Sequence, residues 1–215
     1  MTLGDIKEFC AHKLGIPDIQ TMEMAGRFAS TRWKMIWNQR AWPQTRIYDA
    51  VSVPAGQQEV TLPADFELAH AARWNRTGLL PQLDLTAFDQ DPGAWDAVGP
   101  VAGFSPLAKS AQGYARIRLT RAPAEAGTLY VIGKRKCIEL LNDHDTPLLP
   151  GVDECLVAFV MGDLEQWQRQ FGKAQVFFSE ANALLQQMVR IDTEQATQIA
   201  QIVPVAQQLE DMPEW

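Results

Sequence analysis

The chain has 215 residues, room for one large domain or two modest ones. Apolar residues make up 47% of it and charged residues 21%, which excludes wholesale disorder, a state that needs low hydrophobicity and high net charge. With 19 basic and 26 acidic side chains the net charge is −7, so general binding to nucleic acid or anionic lipid is not expected, since both repel an acidic protein.

The first predicted element is a helix from Thr2 to Leu14 that ends at Gly15. Apolar residues then recur at Ile19, Met22, Ala25, Ala29, Trp33, Ile36 and Trp37, which predicts a second helix from Asp18 to about Trp42. Pro17 fits its first turn, where a missing N–H costs nothing, and Pro43 closes it. From Arg46 to Leu140 the texture changes. Arg46–Val53, Glu59–Leu62, Glu67–Trp74, Tyr114–Thr120 and Thr128–Cys137 are short, often β-branched or aromatic, and separated by proline and glycine, as strands are. Arg116, Arg118 and Arg121 set against Ile117 and Leu119 give a strand with one wet face. The turn Pro123–Gly127 predicts a hairpin between it and the next strand. Asp89–Lys109 reads as a loop anchored by Trp95 and Phe104.

Helical spacing returns at Pro150. One apolar stripe runs Val152, Leu156, Val160, Leu164, Trp167 and Phe171, and a second runs Ala174, Phe177, Ala181, Leu184, Met188 and Ile191. Gly172 marks a kink or a tight connection between antiparallel helices. The predicted class is α+β: a helix bundle with a small, mostly antiparallel β module inserted between N- and C-terminal helices, plus an extended C-terminal arm. The boundaries fall at 1–45 for the first helices, 46–140 for the β module, 141–191 for the later helices and 192–215 for the arm. That arm has five glutamines, no lysine or arginine, and Pro204 and Pro213, yet keeps Ile199, Ile202, Val203, Val205, Leu209, Met212 and Trp215. Either it folds back on its own domain or it orders against another subunit.

No enzyme motif is present: there is no G-x-G-x-x-G after a strand, no G-x-x-x-x-G-K-[ST], no H-E-x-x-H and no G-x-S-x-G. No catalytic residue, cofactor or metal is expected. Asn142-Asp143-His144-Asp145, with Asp153 and Glu154 nearby, has the side chains of a cation site but no fixed ligand spacing, so a polar loop before a helix N-terminus accounts for it. Cys10 and His12 stand two apart on a helix and face different ways, which separates thiol from imidazole. Cys10, Cys137 and Cys155 are too few and scattered for a disulfide framework, which predicts a reducing compartment. The N-terminal run carries Asp5 and Glu8 and lacks the apolar core of a signal peptide, and no stretch is long and apolar enough for a membrane span. A soluble protein of cytoplasmic type is expected.

Charge is distributed unevenly. Residues 1–46 carry seven basic and four acidic groups, whereas residues 150–215 carry three and ten. Between Met24 and Tyr48 there is no acidic residue, and Trp33, Trp37 and Trp42 are interleaved with Arg27, Arg32, Lys34, Arg40 and Arg46. Three readings fit: an amphipathic helix with tryptophans in the core, a single-stranded nucleic-acid platform, or a head-to-tail contact between copies that pairs the basic end with the acidic one.

The order of elements resembles the head–tail connector, or adaptor, proteins of tailed bacteriophages, in the subset with a β module. The resemblance is carried by Trp37-Asn38-Gln39-Arg40-Ala41-Trp42, by Leu62-Pro63-Ala64-Asp65-Phe66-Glu67-Leu68, by Ile117–Pro123 followed by Gly127–Val131, and by Asp145-Thr146-Pro147-Leu148-Leu149-Pro150 leading into a long helix. It implies a structural virion protein in the neck, made in the host cytoplasm. Its partners would be the portal protein, identical subunits in a ring of twelve, and tail or neck proteins, with double-stranded DNA passing through the lumen and no membrane involved. On that reading Arg27, Arg32, Lys34 and Arg40 are the expected subunit or portal contacts. Leu209, Met212 and Trp215 are the expected docking anchors, because buried aromatic and apolar groups dominate interfaces. A tail-side neck component (a stopper or tail terminator) and the nucleic-acid platform are the alternatives.

Overall fold

A computed structural model describes residues 1–75, 78–84 and 97–207, with 194–207 described by backbone alone. The chain divides into a helical unit, Met1–Gln44 with the chain from Glu139 onward, and a β unit, Thr45–Ile138. The class is α+β, with antiparallel pairing throughout the named strands.

Four helices build the described part of the helical unit: α1 (Leu3–Leu14), α2 (Ile19–Gln39), α3 (Val152–Trp167) and α4 (Phe171–Gln207). A capping box starts α1. The Thr2 hydroxyl accepts from the Asp5 N–H at 3.2 Å, and the Asp5 carboxylate accepts from the Thr2 N–H at 2.8 Å. That last bond holds the Asp5 carboxyl below its usual range. Gly15, at φ 78°, supplies the left-handed residue that ends the helix, as expected. Asp18 caps α2 through its carboxylate, which accepts from the Thr21 N–H at 2.7 Å. Pro17 therefore lies outside the first turn rather than within it. At the other end α2 stops at Gln39, and Pro43 opens a 3-10 turn, Pro43–Thr45, instead of closing the helix.

The single apolar stripe expected for α3 understates its environment. Val157, Ala158 and Phe159 are buried beside Val152, Leu156, Val160 and Leu164, because α1, α2 and α4 all pack on this helix. Trp167 and Phe171, at the end of the expected stripe, are exposed instead. The turn from α3 to α4 is Gln168–Gln170, with Arg169 at φ 62°, so the connection precedes Gly172, which sits inside α4. The two helices approach closely at Gly162, where an added Cβ would lie 2.6 Å from the Phe178 ring. Helical backbone in α4 continues past Ile191 to Gln207.

Among its described residues the β unit has seven strands: β1 (Arg46–Val53), β2 (Glu59–Thr61), β3 (Phe66–Trp74), β4 (Leu79–Leu80), β5 (Phe104–Leu107), β6 (Arg116–Leu119) and β7 (Gly127–Arg135). They form a four-stranded sheet in the order β1-β7-β3-β4 and a three-stranded sheet in the order β2-β6-β5. The expected β6–β7 hairpin is not formed. β6 pairs with β2 and β5, whereas β7 pairs with β1 and β3, so the Pro123 turn carries the chain from one sheet to the other. Its carbonyls are taken by distant loops: Pro123 accepts from Gly56 N–H and Ala122 from Gly99 N–H. β5 lies in the stretch read as a loop, and its Phe104 is fully buried. Trp95 lies outside the described residues. Val53, Leu129, Val131 and Phe66 from one sheet share a single core with Val60, Ile117, Leu119 and Phe104 from the other.

Candidate interaction surface

Trp33, Trp37 and Trp42 are all buried, with Trp33 and Trp37 edge to face at 5.3 Å. The indole N–H of Trp42 donates to the Ile36 carbonyl at 2.9 Å. These rings are core, which removes the stacking surface that a nucleic-acid platform on this helix requires.

The four expected contact cations have different surroundings. Arg27 is exposed on α2, its carbonyl accepting from the Thr31 hydroxyl at 2.9 Å. Lys34 is exposed and pairs with Glu139 at 2.7 Å. Arg32 is engaged inside the unit: Nε and Nη2 donate to the two oxygens of Asp163 at 2.7 and 2.6 Å. Its guanidinium also lies 5.0 Å from the Phe159 ring and 5.2 Å from Phe178. The paired carboxylate raises the Arg32 pKa further. Arg40 clamps α2 to α4 through Asp192 at 2.6 Å, the Val189 carbonyl at 3.2 Å and the Thr193 hydroxyl at 3.4 Å, while stacking on Trp42. Part of the basic–acidic asymmetry along the chain is thus consumed within the helical unit. Leu209, Met212 and Trp215 lie outside the described residues.

The polar loop at Asn142–Asp145 closes the N-terminus of α1. The Asp143 and Asp145 carbonyls accept from the Gly4 and Leu3 N–H groups, each at 2.8 Å. The Asp145 carboxylate accepts from the Leu141 and Asn142 N–H groups at 2.7 Å, which lowers its pKa, and Asp143 pairs with Lys7 at 2.6 Å. Asp153 holds the N-terminal ammonium of Met1 at 2.9 Å. No group of three metal-capable side chains is gathered among the described residues. Burial pushes the Cys10 thiol up to about 12, far from a reactive thiolate.

Sequence reasoning missed two features. Asp163 and Asp192, the partners of Arg32 and Arg40, lie more than a hundred residues away, and no local pattern announces such pairs. The second feature is the outward face of the four-stranded sheet, where Tyr48 stacks on Tyr130 with centroids 6.2 Å apart. The alternation Ile47/Tyr48/Asp49/Ala50/Val51 contains that signal, because the position facing away from the core is aromatic rather than polar.

No helix among the described residues is long and apolar enough to cross a membrane. No curated protein matches the chain. Residues 1–207 match the family described as SU10 adaptor protein, which spans both units and every element above. The chain belongs to the SU10 adaptor protein family and is a bacteriophage adaptor protein.

Proposed function

We propose that copies of this chain form a ring that docks on the portal and joins capsid to tail in the virion neck, a structural rather than enzymatic role. Twelve copies and passage of double-stranded DNA through the lumen belong to the same reading. The observation that carries it is the family match over residues 1–207. A net charge of −7 suits a DNA conduit, because a repelling wall lets the duplex slide instead of stick.

Within this reading the expected contact residues divide by their surroundings. Arg27 and Lys34 present charge at the surface of α2 and meet acidic groups of the portal or of a neighbouring subunit. Arg32 and Arg40 contribute indirectly, by fixing α2 against α3 and α4. Leu209, Met212 and Trp215 supply the apolar anchors. The double reversal Arg27→Glu with Lys34→Glu tests the first assignment. It is expected to weaken co-purification with the portal by roughly tenfold at low salt, with a smaller effect at high salt, and to leave unfolding cooperative. Undiminished binding at low salt would remove both residues from the contact.

A further inference from the structure

The outward face of the four-stranded sheet has the chemistry of a receptor. Cross-strand register places three rows on it: Arg46, Lys134 and Leu68; Tyr48, Ile132 and Ala71; Ala50, Tyr130, Arg73 and Leu79. Tyr48 is 62% exposed and Leu79 59%. Leu68 and Ile132 are exposed as well, so this face holds four of the seven exposed large apolar residues described in the β unit. An antiparallel sheet with one face on the core ordinarily turns polar residues outward, and a contiguous apolar patch marks an interaction site. Here Tyr48, Tyr130, Ile132, Ala71, Leu79 and Arg73 line a concavity of about 500 Å³.

The charge of the face is one-sided. Arg46 and Arg73 are exposed in the rows, Lys134 is buried beside them, and His70 sits close enough to Lys134 and Arg46 for their charge to lower its pKa, after the larger effect of burial. None of the residues in the three rows is acidic. A fitting occupant is therefore apolar and anionic. Residues 208–215, Gln-Leu-Glu-Asp-Met-Pro-Glu-Trp, have that composition: Leu209, Met212 and Trp215 interleaved with Glu210, Asp211 and Glu214. No lysine or arginine follows Arg190. Eight extended residues reach about 27 Å, more than the roughly 14 Å across four strands. Stacked tyrosines beside cations also suit unpaired bases, but the aliphatic surround of Leu68, Ala71, Leu79 and Ile132 and the acidic chain as a whole favour a peptide.

We infer that the Tyr48/Tyr130 face of one copy receives the C-terminal segment 208–215 of a neighbouring copy, a head-to-tail contact that repeats around a ring. The choice of a neighbouring copy rests on the ring reading above, since one face and one segment per subunit make a heterologous contact that closes when the rotation permits. Apolar anchors supply the affinity, and Arg46 and Arg73 set direction and register.

The test uses the full-length chain carrying the photo-crosslinking residue p-benzoylphenylalanine at position 48, mixed as nitrogen-14 and nitrogen-15 copies. Irradiation is done both in the portal-bound complex and in the concentrated free chain, and products are mapped by mass spectrometry. The expected product joins position 48 to residues 208–215 with mixed isotopes, and adding Arg46→Glu with Arg73→Glu lowers its yield about fivefold or more. The inference is overturned by crosslinks confined to one copy, by crosslinks to other segments, by capture of an added oligothymidylate in place of the segment, by no crosslink in either state, or by indifference to the charge reversal. If the chain fails to bind portal, the ring reading fails; if it binds and position 48 crosslinks elsewhere, only the docking inference does.

Discussion

A chain ending at Gln198, lacking residues 199–215, is expected to fold with an unchanged cooperative melt and to lose assembly. The expectation follows from where α4 is used. Among its side chains described, up to Thr193, the buried ones are Ala174, Ala181 and Leu185, and the Cys155 thiol meets the Ala181 carbonyl at 3.5 Å. The last described anchor of α4 is the Arg40 clamp on Val189, Asp192 and Thr193. Removal of residues 199–215 therefore takes nothing from the described core, while it deletes Leu209, Met212 and Trp215. Thermal unfolding and mass photometry with portal present read the two halves of the expectation. A truncated chain that loses its cooperative melt would show that the segment belongs to the core of its own unit.

Replacing Arg32 by alanine is expected to destabilise the helical unit by about 3 kcal/mol, because it strands Asp163 without its cation in a largely covered setting. The Asp163 side chain is only 12% exposed and both of its oxygens are bonded to the guanidinium. The loss has a second part, since the guanidinium packs against Phe159 and Phe178 as well as pairing with the carboxylate. Arg32→Lys keeps the charge but cannot reproduce a planar fork that bonds both oxygens and stacks on rings, so an intermediate loss of about 1–2 kcal/mol is expected. Urea unfolding followed by tryptophan fluorescence measures both, because Trp33 is the next residue and is fully buried. A cost for the alanine variant below about 0.5 kcal/mol, the level of an ordinary surface change, would contradict the structural role. Weakened portal binding by a variant of unchanged stability would return Arg32 to the contact surface.

The strands were legible where side-chain alternation and Pro/Gly punctuation agree. β1, β2, β3, β6 and β7 all lie within or beside predicted segments, because each puts one face on the shared core. Partner choice was not legible. Sequence adjacency favours pairing β6 with β7, but the core between two sheets is completed by β6 beside β2 and β7 between β1 and β3. β4 has two residues, and β5 carries Pro106 at the edge of its sheet, so neither gives a periodic signal. The helix end at Gly15 was readable from capping chemistry and the starts near Thr2 and Asp18 from apolar spacing, whereas the left-handed turn at Arg169 was not, since arginine is not a turn residue. On the surface, the basic stretch of α2 was visible as composition. Its division into exposed Arg27 and internally bonded Arg32 and Arg40 depends on carboxylates distant in sequence. The tryptophans among those cations have the same spacing whether they face bases or a core, and only packing distinguishes the two.

The most direct test of the adaptor role is co-sedimentation of the purified chain with the cognate portal ring, with the bound fraction imaged by electron microscopy. The account predicts a ring of added density beneath the portal, with one copy of the chain per repeat. Absence of binding to a portal that still accepts another neck protein would contradict it and move the chain to the tail side of the neck.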